Sequence, residues 1–180
     1  MIQDKYICFS EEIENIYNKE LRVLAKDLIN GLPDYFFEIP ASSSGKYHPA
    51  YTLGEGGLIR HTRAAVKIAV SLLSLEQNKE LKQYSDHIII ALLVHDGFKQ
   101  GIEQQNRTVN DHPWLAANYV RNFDYKNKND LSIIASLIES HMGEWHYGVL
   151  PKPQTEVQKF VHMCDYLTSR KFLEVNFCED

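Results

Sequence analysis

Seven consecutive apolar residues, Ile88-Ile89-Ile90-Ala91-Leu92-Leu93-Val94, run without a break into His95-Asp96. A segment apolar on every side has no face to turn to water, so it is packed all round wherever the chain places it. Such a run suits a buried strand or a buried helix. Helical neighbours and the lack of a nearby strand partner make it a central helix over 86 to about 97, with Ser85 as its cap. Its far end then lies inside the protein or on the floor of a cleft, and carries Asp96 there. An ionised carboxylate in that position is unfavourable unless paired or bound to a cation. The helix C-terminus makes matters worse, because its dipole repels an anion. Something positive belongs beside Asp96: a divalent metal held by neighbouring histidines, or Lys99 or Arg60.

Helical spacing recurs on both sides of this run. Ile13, Ile16, Tyr17, Leu21, Leu24 and Leu28 mark a first helix, with Ser10 placed to cap it and Gly31 and Pro33 to end it. Residues 33–57 carry loop chemistry, including Ser42-Ser43-Ser44-Gly45 and Gly54-Glu55-Gly56-Gly57. At about 25 residues this loop is longer than most connections, and such loops are usually functional or mobile. A second helix covers 58–75. Asp111 and Pro113 open a fourth through Asn122, Asp130 a fifth through about His141, and a last helix runs from 156 to about 172. The expectation is an all-α, compact multi-helix bundle around one core. It forms a single domain over 1–180 with its motif-bearing part at about 56–170.

Composition narrows the function classes. A hydrophobic fraction of 44% with 24% charged residues excludes global disorder. A net charge of -5 argues against a surface built all round for nucleic acid, while leaving room for a local basic cleft. Cys8, Cys164 and Cys178 form no C-x-x-C pair, which suits reduced thiols in a cytoplasm. The first residues hold no apolar stretch of signal-peptide length, and 88–94 is too short to cross a bilayer. A cytoplasmic protein with no membrane partner is expected.

Eight histidines are many for 180 residues, and their positions matter more than their number. His61 lies one turn into the second helix, His95-Asp96 at the end of the apolar one, His112 at the start of the fourth and His141 at the close of the fifth. Asp165 follows His162 in the last. Imidazole with carboxylate suits Mn, Fe, Co, Ni or Zn better than a calcium cage. A bundle interior is also where side chains from several helices can converge on a metal. Taken singly, a histidine at a helix end is more often a hydrogen-bonded core or surface residue than a ligand, and an aspartate like Asp165 more often a solvated or salt-bridged helix residue.

The ordered set resembles the HD-domain superfamily of metal-dependent phosphohydrolases. Gly56-Gly57-Leu58-Ile59-Arg60-His61-Thr62 is similar to that family's G-G-L-x-x-H-T segment. Leu92-Leu93-Val94-His95-Asp96-Gly97-Phe98-Lys99 resembles the apolar helix running into H-D-x-x-K. His112-Pro113 with Ala116 and Ala117, and the closing Val161-His162-Met163-Cys164-Asp165-Tyr166-Leu167, fit as well. After His141 the text Met142-Gly143-Glu144-Trp145-His146-Tyr147 departs from the cyclic-dinucleotide branch, which continues with a second histidine and G-Y-P. It is closer to the HD domain of bacterial 3′-to-5′ exoribonucleases. Those enzymes generally add a nucleic-acid-binding module, for which this chain has no room.

The resemblance implies that His61, His95, Asp96 and Asp165 hold a first divalent metal. Asp96 would bridge to a second, completed by His112 and His141, with Mn, Fe, Co or Ni as the ion. Two cations roughly 3.5–4 Å apart would acidify a shared water and clamp a phosphoryl group. Asp96 would orient that water, and Lys99 would neutralise a phosphate oxygen or the leaving group. Candidate substrate contacts are Arg60, Lys46, His48, His146, Tyr166 and Arg170. Trp145 and Tyr147 read either as base-stacking or as core aromatics. The implied activity is hydrolysis of a phosphoester in a small phosphorylated substrate, a nucleotide or short oligonucleotide. The same ligands would also serve a di-iron oxygenase, and the scaffold a non-catalytic nucleotide-binding module.

Overall fold

A computed structural model describes residues 4–143, 148 and 150–172. Among them the chain forms seven α-helices, four 3-10 segments and no strand, so the fold is all-α. The helices are α1 (Ser10–Glu14), α2 (Lys19–Asn30), α3 (Gly57–Leu73), α4 (Ser85–Val94), α5 (His112–Arg121), α6 (Lys128–Glu139) and α7 (Glu156–Thr168).

The apolar run becomes α4, buried from Ile88 to Val94, and α2, α3, α6 and α7 all pack against it. Around it each helix turns one stripe inward. In α2 that stripe is Leu21, Leu24, Ala25, Leu28 and Ile29, the spacing of a single helical face. In α3 it is Leu58, His61, Thr62, Ala65, Val66, Ala69 and Leu73, so a histidine rides on the face that makes the core. Asn18 caps α2 by accepting from the amides of Glu20 and Leu21. Thr155 and Gln158 form a reciprocal capping box on α7.

Local readings are corrected at the ends of elements. The single first helix is two, because the chain turns at 15–18. There the Asp86 carboxylate of α4 accepts the amides of Tyr17 and Asn18 at 2.9 Å each. Ser10 is not a cap: it lies inside α1 and its hydroxyl donates to Ile7 O. Tyr17, placed on the apolar face by its spacing, is 83% exposed. Ser85 makes no capping bond, and α4 ends at Val94 rather than near Gly97, which folds into a turn with Gly97 N donating to Val94 O. Asn127, not Asp130, caps α6, and α7 stops at Thr168. Residues 76–84, not anticipated as an element, form a 3-10 segment with no buried residue.

The long 33–57 connection is well anchored at its base. Gly56 N donates to Glu38 O, Leu58 N to Ile39 O, and Ala41 N to Thr52 O. Arg60 gathers the far side: its guanidinium donates to the carbonyls of Tyr51, Leu53 and Glu55. This leaves Ser42, Ser43 and His48 of the tip beside the histidines and aspartates at the ends of the helices.

Candidate metal centre

Five elements deliver one or two side chains each. His61 comes from the second turn of α3, Asp165 from α7 and His112 from the first residue of α5. His95 and Asp96 stand directly after α4, and His141 two residues after α6. The four histidines and Asp96 are no more than 2% exposed, and the Asp165 side chain is 14% exposed. Burying so many polar groups at one point is unfavourable unless something satisfies them.

The two oxygens of Asp96 face different partners. Oδ2 lies 3.5 Å from His95 Nε2 and 3.8 Å from His61 Nε2. Oδ1 lies 3.1 Å from His112 Nε2 and 3.7 Å from His141 Nε2. On the far side of His61 and His95, Asp165 Oδ1 stands 2.9 Å and 3.5 Å from their Nε2 atoms. Two groups of three, His61-His95-Asp165 and His95-Asp96-His141, have ligand atoms within 4.8 Å of one another. His95 belongs to both.

Backbone carbonyls fix the rings. Nδ1 of His95 donates to Leu92 O, that of His112 to Val109 O, and that of His141 to Ile138 O, each at 2.7 Å. In each case the acceptor is three residues back, so the turn entering or leaving a helix sets the tautomer. Nε2 is then a bare lone pair aimed at Asp96, the arrangement of a metal-ligating imidazole held by its outer hydrogen bond. His95 Nε2, His112 Nε2 and Asp96 Oδ1 are buried and have no hydrogen-bond partner. These unsatisfied atoms, all acceptors and all converging, fit a divalent cation with nitrogen and oxygen ligands.

The electrostatics agree in sign. Burial alone would raise the Asp96 carboxyl, but Lys99, His95 and His112 hold it well below the usual carboxylate range. Burial is likewise outweighed at Asp165 by His61 and His95. Burial pushes His95 down, yet the two aspartates lift it above the ordinary histidine value. Burial and the neighbouring His95 push His141 down to about 3. His48 is lowered to about 4, first by burial and then by His61 and Lys99.

The centre opens into a cleft of about 220 Å³. One wall is the loop, with Ala41, Ser42, Ser43 and His48; the other is α7 and its end, with His162, Asp165, Tyr166, Ser169 and Arg170. Lys99 and Thr108 close the third side. A larger depression of about 360 Å³, between Asn15, Tyr17, Val70, Leu73 and Ile89, has Lys82 as its one charged lining residue, so size alone does not locate the chemistry.

The substrate candidates divide. His48 is in the cleft with its ring centroid 5.8 Å from that of His61. Tyr166 and Arg170 line it, the guanidinium 4.2 Å from the Tyr166 ring centroid. Lys99 is there too, but its ammonium is bonded to Asp96 Oδ2. Arg60 is a correction: it holds three loop carbonyls and does not line the cleft. Lys46 is also corrected, because it is exposed over the Tyr47 ring outside the lining. His146, with Glu144, Trp145, Tyr147 and Cys178, lies outside the described residues. His162 was missed as a cleft residue. Its Nδ1 donates to His141 O at 2.7 Å, and the signal for it was its place one turn before Asp165. Ser42 and Ser43 sit in the long loop already marked by its length, whereas Thr108 and Ser169 carried no pattern that could have marked them.

A family model described as HD domain matches residues 58–170, more than half of the chain. No curated protein and no solved structure matches the chain.

Proposed function

The chain belongs to the HD domain family, and from that premise we propose that it is a metal-dependent phosphohydrolase that hydrolyses a phosphoester of a nucleotide or short oligonucleotide. The observation that carries this reading is the double-faced Asp96, with His61 and His95 on one oxygen and His112 and His141 on the other. His61, His95, Asp96 and Asp165 would hold one divalent ion, and Asp96, His112 and His141 a second, with Mn, Fe, Co or Ni as candidates. A bound divalent ion supplies a Lewis acid that polarises a phosphoryl oxygen and acidifies water.

The chain's own residues do the rest. Asp96 orients the attacking water, whose oxygen forms the new bond to phosphorus as the ester P–O bond breaks and the departing oxygen takes a proton. Lys99 balances the Asp96 charge and faces the cleft, where it can also meet a phosphoryl oxygen. The hydroxyls of Ser42, Ser43 and Thr108, with Arg170, offer donors to the remaining oxygens. Burial of the centre excludes bulk water, so these charges act at short range in a medium of low polarity. Among the described residues no helix is long and apolar enough to cross a membrane. We place the protein in the cytoplasm, where its cysteines would stay reduced.

The test is hydrolysis of bis-p-nitrophenyl phosphate, nucleoside monophosphates, cyclic nucleotides and short RNA by protein supplemented with each metal in turn. Turnover that disappears together with bound metal in Asp96→Ala is the expected result. Iron loading with oxygen uptake and no phosphoester turnover would replace this reading with an oxygenase. Absence of metal under every supplement would leave a binding module.

A further inference from the structure

The two walls of the cleft are joined outside it. Arg170, just past α7, has its guanidinium 4.2 Å from the ring centroid of Tyr166 in the last turn of α7 and 5.8 Å from that of Tyr47 on the loop. Tyr47 precedes His48, which lines the cleft from the loop side, and Arg170 lines it from the helix side. The stack therefore ties the 42–48 tip to α7 beside the entrance. Cation–π contacts of this kind hold two elements together without closing them covalently. Within the tip, Gly45 N donates to Ser42 Oγ and Lys46 N to Ser44 Oγ, and the His48 ring faces that of His61 on α3 at 5.8 Å.

Depth and volume add a second constraint. The reacting centre sits at the floor, among side chains at most 2% exposed apart from Asp165. The cleft of about 220 Å³ above it is smaller than the about 300–1,000 Å³ usual for a drug-sized ligand. It has space for a phosphate and a sugar-sized group. A nucleobase would remain at the entrance, against Tyr166 and Arg170. An internal phosphodiester would need a chain to leave the floor in two directions, between walls formed by the tied loop and by α7 with its end.

We infer that the Tyr47–Arg170–Tyr166 stack is a size filter, so that the centre takes the terminal phosphomonoester of a mononucleotide-sized molecule and rejects an internal phosphodiester. The inference rests on the phosphohydrolase reading and narrows its substrate class. Tyr47 acts here as a specificity residue through the loop it holds. It is 56% exposed, so its replacement leaves the core alone.

The experiment compares adenosine 5′-monophosphate with adenylyl-3′,5′-adenosine, whose one phosphate is an internal diester, on the full chain loaded with Mn. Wild type should release phosphate from the first at least about a hundredfold faster than it cleaves the second. Tyr47→Ala should narrow that ratio by about tenfold with metal content unchanged, and Tyr47→Phe, which keeps the ring, should preserve it. Calorimetric titration with the two esters should show the same preference as affinity. Equal rates or affinities for the two in wild type, or an unchanged ratio in Tyr47→Ala, overturn the filter and leave the hydrolase standing. No turnover of either ester, or of p-nitrophenyl phosphate, with any of Mn, Fe, Co or Ni overturns the hydrolase and the filter together.

Discussion

Gly57, the first residue of α3, is the position where one methyl group should damage both stability and the site. A Cβ built there meets Thr52 O at 2.1 Å, Thr52 C at 2.7 Å and Pro40 Cα at 3.0 Å. All three atoms are backbone, so no side chain can rotate away. Raising the shortest contact to an ordinary separation requires a shift of about 1 Å, comparable to other overpacked substitutions costing about 1–3 kcal/mol. Alanine returns at most about 1 kcal/mol through helix propensity. Gly57→Ala should therefore lower the unfolding midpoint by a few degrees, at about 2–4 °C per kcal/mol for a chain of this size. The shift must be taken up by α3, which carries His61, or by the loop, which carries Ser42, Ser43 and His48. A displacement of about 1 Å at a reacting centre can cost about a hundredfold in rate. Urea denaturation, elemental analysis and phosphoester turnover measure the three effects. Gly54→Ala is the control: its φ of +71° makes alanine strained, but no atom lies within 4 Å of the new Cβ. It should lose about 1 kcal/mol and keep its activity. If Gly57→Ala matches wild type within about 0.5 kcal/mol and binds metal normally, the close approach of Thr52 to α3 does not constrain the site.

Metal should stabilise what it binds: at a hundredfold excess over Kd the gain is about 2.7 kcal/mol, which chelation should reverse and Asp96→Asn should abolish in a thermal melt. Arg63→Ala strips Glu12, 2% exposed, of its partner at 3.0 Å. Leaving that carboxylate uncompensated should cost about 3 kcal/mol in urea, and Glu12→Gln added to it should recover part of the loss. In the chelated protein, His48 titrates at about 4 when folded against 6.5 as the ordinary value, so the unfolded chain binds the extra proton. Its stabilising contribution is complete above pH 6.5 and is lost as pH falls through 4. His48→Asn should show a shallower acid limb in denaturation midpoint against pH, and an unchanged limb would remove His48 as a cause.

Much of the architecture could be read locally. The 88–94 run required a buried element, and Pro113 marked the start of α5 within a residue. The periodicity of Leu21, Leu24 and Leu28 survives as the inner face of α2. What failed locally was decided from a distance. The turn at 15–18 exists because Asp86, far along the chain, takes two amides there. Arg60 is the exception: the carbonyls that hold it lie only nine, seven and five residues back, but in a loop whose path no periodicity gives. Residues 76–84 set only Leu81 and Tyr84 against the core, too few apolar positions for periodicity to report.

By itself the sequence determined the class of the fold and the inventory of ligands, because apolar periodicity and residue type are local properties of a chain. It also held the tautomer lock at His95, His112 and His141, since each accepting carbonyl is three residues back. Tertiary structure alone decided which oxygen of Asp96 faces which histidines. It also brought Tyr47 to Arg170. Apart from the adjacent His95, those relations join residues on different elements of the chain. They follow from how α3, α5, α6 and α7 pack around one central helix, and no local pattern encodes the distance between two side chains on different helices.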